Sequence, residues 1–328
     1  MSDAVKITHP EKVLFPDDGI TKGDVCAYYQ AVAPLMVPHI SGRPVTMERF
    51  PAGIGKKGFI HKDVVKGFPA WLERVPVERR DEKDPGTVHY ALAGDARALV
   101  WMANQNSITP HVWCSRVPRL EQPDVCVFDL DPPGDDAKAL RAGALAVRAL
   151  LDELGLPSFV KTSGSKGFHI VVPLDGQDEQ DGYETSWRFS HGAGAVLVKR
   201  HPELFTQEFI KSDRGGRIFV DTGRNGAGAT FAAVYAVRPK PGAPVSAPCT
   251  WQEIERDAVG PRTFTLRTMA ERIAAVGDLW GGLEGEGERR SLRAPLAALD
   301  KLLTEEDWKE SWAATTRRPT SRKAGRKS

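Results

Sequence analysis

The 328-residue chain has no run of about 18 apolar residues, so no segment of it is long enough to cross a membrane as a helix. Met1–Pro10 contains no apolar stretch of the kind a secretory leader needs. Together these absences lead to the expectation of a cytoplasmic protein. The four cysteines, Cys26, Cys114, Cys126 and Cys249, include no C-x-x-C pair, which argues against a disulfide framework and against a four-thiolate zinc site. His111, Cys114 and Cys126 could supply three metal ligands; buried structural thiols are the plainer reading. Neither acids nor bases dominate, since the net charge is only +2. Arg317–Ser328 holds six basic residues and no acid, so the remainder is net acidic. Any polyanion-binding surface on the folded part must then be a local basic patch. The tail reads as disordered, either a weak nonspecific contact for nucleic acid or a plain solvated terminus.

No internal repeat is present. Short β-branched runs alternate with amphipathic helical stretches, which makes α/β the expected class. Helix is expected over 22–33, stopped by Pro34, and again from Leu92 to Asn104. Short strands are expected at Pro44–Met47, Phe59–His61 and 87–91, with the loop 51–58 between the first two. The clearest strand is Asp124–Asp131, ended by Pro132-Pro133. A helix follows over 136–155, with Asp135 or Asp136 suited to its N-cap and Gly155 to its C-terminal stop. Strands at 158–162 and 169–173 flank a Gly-rich turn. A helix over 183–200 is expected despite Gly192 and Gly194. Further strands are expected at 217–221 and 232–237, then a Pro-rich loop over 239–248. Helices return at 251–257, 265–276 and 294–303, with an exposed loop at 281–291 and disorder from about Ala313.

Three stretches carry chemistry. In Asp129-Leu-Asp131 the two carboxylates sit at i and i+2 of a strand and so share a face, with Val125 and Val127 beneath them and Cys126, Phe128 and Leu130 opposite. Paired carboxylates repel unless a cation lies between them, and hard oxygen ligands suit Mg2+ or Mn2+. Two solvated acids before a Pro-Pro turn would look the same. Thr162-Ser-Gly-Ser-Lys-Gly-Phe-His169 is not a Walker loop, because it joins two strands and lacks that spacing. Gly164 and Gly167 would still let backbone N–H groups approach an anion, and Ser163, Lys166 and His169 add donors suited to a triphosphate; an ordinary Gly-rich hairpin is the alternative. Ile218-Phe-Val-Asp221 ends another apolar strand in an acid that could complete a two-metal site, or merely cap a turn. Arg238 could reach a triphosphate as a forked donor, or lie idle on the surface.

In this order, D-L-D-P, S-G-S-K-G-F-H and V-D-T-G-R-N with a following V-R-P-K-P-G-A-P-V resemble the three motifs of the archaeo-eukaryotic primase superfamily. More narrowly they resemble the polymerase domain of bacterial ligase D, the non-homologous end-joining polymerase. T-H-P-E-K-V-L-F-P, G-I-T-K-G-D and N-Q-N-S-I-T-P-H-V-W-C-S-R agree, and the resemblance covers about residues 5–303. It implies an α/β primase-like catalytic domain in which two sheets form an active-site cleft with flanking helices. Residues 1–303 would form that domain, and 304–328 a helix end and basic tail. It also implies metal-binding roles for Asp129, Asp131 and Asp221, with two Mn2+ or Mg2+ ions. Ser163, Lys166, His169 and Arg238 match the nucleotide-triphosphate contacts. Lys12 and Lys22, with His9 beside them, match the site that holds a 5′-phosphate. Arg49 and Phe59 fall where the family touches nucleotide and template. Lys62 and His111 sit in family-like stretches.

The resemblance further implies NTP or dNTP addition to 3′ ends at DNA ends and gapped duplexes, with a preference for ribonucleotides and recognition of a 5′-phosphate. It implies a nucleoid-associated protein with Ku as a partner. K-x-D-G, the lysine motif of an ATP-dependent ligase, appears nowhere in the sequence; were this the whole protein, the expectation is a stand-alone polymerase served by a separate DNA ligase. There are departures. His9 stands where asparagine is common, and a protonated imidazole still binds phosphate. Ile60 replaces a second aromatic after Phe59, Glu48 replaces one member of a basic pair, and Thr222-Gly223 follows Asp221 where an aromatic is frequent. Two rivals stand beside this reading: a primase that starts chains without a primer from the same active site, and a non-catalytic DNA-end-bridging module that uses Lys12, Lys22 and the tail. A D-x-D phosphatase is disfavoured, because Pro133 stands where that pattern needs Thr or Val.

Overall fold

The computed structural model describes residues 5–64, 67–79, 84–176, 181–283, 285 and 289–316. The basic stretch Arg317–Ser328 and part of the loop 281–291 lie outside them. The chain opens with a small hairpin, β1 (Val13–Phe15) and β2 (Ile20–Thr21), and then α1 (Lys22–Ile40). Next come β3 (Pro44–Arg49), β4 (Phe59–His61), β5 (Arg74–Glu78), β6 (Thr87–Leu92), α2 (Ala96–Asn104) and β7 (Ser107–Val112). A second small hairpin, β8 (Ser115–Arg116) and β9 (Arg119–Pro123), leads into β10 (Val125–Asp131), α3 (Ala137–Glu153), β11 (Phe159–Thr162), β12 (Phe168–Pro173) and α4 (Tyr183–Arg200). The remaining elements are β13 (Phe205–Thr206), β14 (Ile218–Asp221), β15 (Phe231–Ala232), β16 (Pro248–Cys249), α5 (Trp251–Glu255), α6 (Met269–Val276), α7 (Arg293–Leu302) and α8 (Glu305–Thr316).

The strands form two six-stranded sheets, β13-β14-β10-β12-β11-β16 and β15-β7-β3-β6-β5, the latter with β4 on β3. The architecture is mixed α/β. β10 lies inside the first sheet, and its alternation separates two environments. Cys126, Phe128 and Leu130 are fully buried. Phe128 meets Phe189 of α4 edge-on, with ring centroids 6.3 Å apart. The opposite face carries Asp129 and Asp131. Gly192 and Gly194 weaken α4 intrinsically, yet each sits at a close approach. A Cβ on Gly192 would lie 2.4 Å from the Trp308 ring of α8, and one on Gly194 would lie 2.3 Å from Gln207 Nε2.

Several boundaries differ from the sequence expectation, α6 for instance beginning at Met269 rather than 265, and four of the differences have a plain cause. α1 does not stop before Pro34 but runs to Ile40 through Pro34 and Pro38. Each proline removes a backbone donor, at roughly 3 kcal/mol in a helix interior; full burial of Met36 and Ile40 beyond the first proline opposes that cost. α2 begins at Ala96 rather than Leu92, because Leu92 still pairs with Pro44 in the sheet and Asp95 caps the helix by accepting from Ala98 N at 2.7 Å. The strand expected over 232–237 shrinks to Phe231–Ala232, since Tyr235 takes a positive φ of 62° and turns the chain away. Disorder from Ala313 is also corrected: α8 stays helical to Thr316. No helix among the described residues is long and apolar enough to cross a membrane.

Candidate active site

Strand register gathers the chemistry of the first sheet into one row. Asp221 of β14 lies opposite Asp129 of β10, and Asp129 lies opposite His169 of β12. Opposed residues of antiparallel strands share a face, so these three side chains project together. Asp131 joins them at i+2. His169 Nε2 stands 3.4 Å from Asp129 Oδ1.

Two arginines that sequence reading did not single out complete the acidic wall. Arg224 reaches Asp129 at 3.3 Å and Asp221 at 3.1 Å. Arg214 Nη1 donates to Asp131 at 2.8 Å, and its guanidinium lies 4.0 Å from the Phe219 ring centroid. Arg224 rides on a short 3-10 turn, Gly223–Asn225. Asn225 docks that turn by taking the Val127 N–H and donating to the Val127 carbonyl, both at 2.7 Å. Its side-chain amide thus pairs with β10 as a neighbouring strand would. The spacing of Arg224 three residues after Asp221 was the one available hint.

The electrostatics follow from crowding and burial. Asp129 is pushed up to about 6, first by burial; Arg224 opposes this, while Asp221 and Asp131 add to it. His169 falls well below the ordinary histidine value, first by burial and then through the positive Lys161 and Arg238, so its ring is neutral. Burial lowers Arg238 as well. The pKa of Arg224 is raised, because the aspartates outweigh burial. On the second sheet, Glu48 accepts from or faces His111 Nε2 at 3.3 Å. Burial would raise Glu48, but His111 and Arg238 hold it below the usual carboxylate value.

The Gly-rich turn between β11 and β12 forms the other wall, for reasons that differ from the sequence reading. Ser163 Oγ accepts from the backbone N–H groups of Ser165 and Gly167, both at 3.1 Å, so two of the turn's donors are occupied internally. Gly164 has φ +64°, and a Cβ there would lie 2.5 Å from Arg238 Cγ; its bareness lets Arg238 pass. Arg238 Nε is buried and has no hydrogen-bond partner among the described residues.

A cavity of about 380 Å³ lies between these walls. Asp129, Asp131, Asp221, Ser163, Lys166, His169 and Arg238 all line it, joined by Arg214 and Arg224 and by His111, Phe231 and Ala232 from the second sheet. The other residues singled out in the sequence do not line it. Arg49 instead bonds Gln105 O at 2.8 Å and His61 Nδ1 at 2.8 Å, with its guanidinium 5.4 Å from the Phe59 ring centroid. Phe59 and Ile60 are exposed beside it. His9, Lys12 and Lys22 cluster elsewhere: Lys22 N donates to Lys12 O at 2.8 Å, and Lys12 N to His9 O at 3.1 Å. Lys22 is 2% exposed and its Nζ turns inward, to Thr8 Oγ1 at 3.1 Å and Asn104 O at 3.5 Å.

Among the described residues, no three His, Cys, Asp or Glu side chains form a ready-made ligand set for a metal, His111, Cys114 and Cys126 included. All four cysteines are free and buried. The three carboxylates nevertheless fit a hard divalent cation by chemistry: they are oxygen donors on adjacent strands, held in their present positions by guanidinium charge.

Fold and cleft together define a nucleotidyltransferase of the primase-polymerase type. The chain belongs to the LigD primase-polymerase domain family, whose family model matches residues 21–280. It is 36% identical over 310 residues to the multifunctional non-homologous end joining protein LigD of Mycolicibacterium smegmatis, covering 92% of this chain and 38% of that protein. It is 33% identical over 291 residues to the protein of the same description from Pseudomonas aeruginosa, covering 88% of this chain and 34% of that one. The chain therefore spans little more than a third of the length of these relatives. Among solved structures, it is similar to the polymerase domain from Mycobacterium tuberculosis ligase D in complex with DNA, with a TM-score of 0.79 and 35% identity over 87% of this chain and 99% of that one.

Proposed function

We propose that the cleft adds nucleotides, ribonucleotides by preference, to the 3′ ends of DNA at gaps and double-strand breaks. The observation that carries this reading is Arg238. It is a half-buried cation whose Nε is itself buried and has no hydrogen-bond partner among the described residues, and it lines a cavity whose opposite wall is a row of carboxylates. Such a cavity accepts an anion at one end and cations at the other. Asp129, Asp131 and Asp221 would hold two Mn2+ or Mg2+ ions. Bound there, the ions would supply charge for the phosphoryl group in transfer and for the attacking 3′-oxygen. Arg224 and Arg214 withdraw from the carboxylates to admit them. Arg238, Lys166, His169 and Ser163 hold the triphosphate in line, so that the 3′-oxygen bonds to the α-phosphorus as the bond to pyrophosphate breaks.

The end-joining role of the relatives, and the DNA bound to the solved polymerase domain, support placing this chemistry at DNA ends. His9 and Lys12 would meet the 5′-phosphate of a gap, with the inward Lys22 adding positive potential from beneath. Arg49 and exposed Phe59 would meet nucleotide or template. Ku and DNA ligase activity complete the proposed partners. Asp129→Ala tests the reading: primer extension should fall to background while anisotropy shows unchanged binding to a gapped duplex. Extension at the wild-type rate by that variant would remove Asp129 from the metal site.

A further inference from the structure

The row of functional side chains does not end at His169. One strand further on, β11 sets Lys161 directly opposite it. Lys161 has no solvent exposure. A buried amine is costly unless its N–H groups find acceptors. Lys161 Nζ has two polar partners, His169 Nδ1 at 2.8 Å and Ser246 Oγ, and it lies 5.8 Å from the Phe231 ring centroid. Nothing in the nucleotidyl transfer proposed above uses it.

Donor and acceptor roles along this chain are fixed by its two ends. The Ser246 hydroxyl spends its one proton on Thr162 O at 3.0 Å, so its oxygen must accept from Lys161. At the other end, His169 Nε2 faces a carboxylate oxygen of Asp129 at 3.4 Å. A lone pair on Nε2 would repel that oxygen, whereas a proton there is attracted by it. Nδ1 lies 2.8 Å from Lys161 Nζ, the one donor it meets among the described residues, so Nδ1 accepts and the ring proton stands on Nε2. Every contact from Thr162 to Asp129 then pairs one donor with one acceptor. The opposite tautomer breaks the pairing at Asp129.

We propose that Lys161 is a positioning residue for nucleotide binding: its hydrogen bond to Nδ1 locks His169 in the Nε2–H tautomer and aims that proton into the cleft. The inference deepens the reading of His169 as a triphosphate contact and rests on it. Lys161 touches no substrate; it makes His169 a donor, and a donor is what a phosphate oxygen requires.

Two measurements test this. Long-range 1H–15N spectra of the histidine-labelled wild-type protein, assigned with His169→Ala, report the tautomer directly. The expected result is a proton on Nε2; a proton on Nδ1 overturns the proposal. Kinetically, Lys161→Met keeps the bulk but removes the donor. It should raise the KM for the nucleotide about tenfold, the size of one hydrogen bond, with a smaller change in kcat, and Lys161→Gln should restore part of the loss. In a His169→Ala background, Lys161→Met should add nothing. An equal loss in that background means that Lys161 merely supports the fold, and overturns the proposal. Should Lys161→Met not fold, as judged by its melting curve, the wild-type spectrum still decides. If the wild type fails to extend primers, the polymerase reading falls, and the tautomer remains a separate result.

Discussion

Gly167 shows how little room single residues have in this cleft. A Cβ there would fall 1.7 Å from Leu130 O, a backbone atom between Asp129 and Asp131. No side-chain movement relieves that clash, so Gly167→Ala must displace β10 where it presents its carboxylates. The expected cost is on the order of 2–3 kcal/mol, seen as a lowered melting temperature, together with loss of primer extension. A variant with wild-type melting and wild-type extension would show that the turn and β10 are not packed so closely. The sequence reading had assigned this glycine, with Gly164, to backbone contact with an anion. It could not see that β10 and Arg238 lie against these positions, because both contacts come from distant parts of the chain. The acids were legible, since i and i+2 on a strand share a face whatever the fold. Arg214, Arg224 and Lys161 were not, since each acquires its meaning only from strand register and from turns docked across the sheet.

Among the elements, those with strong local signals fell where expected. β10, α3 with its Asp136 cap and Gly155 stop, and α4 are examples. The misjudged ones were decided by tertiary burial or by one backbone angle: α1 crossing two prolines, and the strand cut short at Tyr235. Of the strands of two or three residues, β4 lies where it was expected, whereas β1, β8 and β13 carry too little periodicity to be read. The end of α1 is tied down by Asp278, which follows α6. It bonds His39 at 3.1 Å, Tyr235 Oη at 2.9 Å and Trp280 N at 3.0 Å. Burial would raise the Asp278 carboxyl, but these partners hold it below its ordinary value. Such a depressed group stabilises the fold above the ordinary carboxylate range, and the contribution is lost as pH falls through its folded value. Asp278→Asn should therefore destabilise the protein at pH 7, on the order of 1 kcal/mol. The gap from wild type should close as the pH is lowered below about 4. A gap that stays constant with pH in melting experiments would mean that charge at this junction contributes nothing.

At the scale of the whole molecule, two sheets meet over a cavity that neither could form alone. The first supplies the carboxylate row and the Gly-rich turn; the second closes it with His111, Phe231 and Ala232. The modest net charge of +2 fits a protein whose contact with a polyanion is confined to particular places. The cleft and the His9–Lys12 loop are the two places proposed above, and on that proposal a gapped duplex would engage both, with its 3′ end in one and its 5′-phosphate at the other. Primer extension on a gapped duplex, with and without a 5′-phosphate on the downstream strand and with and without Mn2+ or Mg2+, tests this account most directly. Nucleotide addition that requires the metal and is stimulated by the 5′-phosphate is the predicted result. Phosphate-dependent binding with no addition under any metal would contradict it and leave a module that only holds DNA ends.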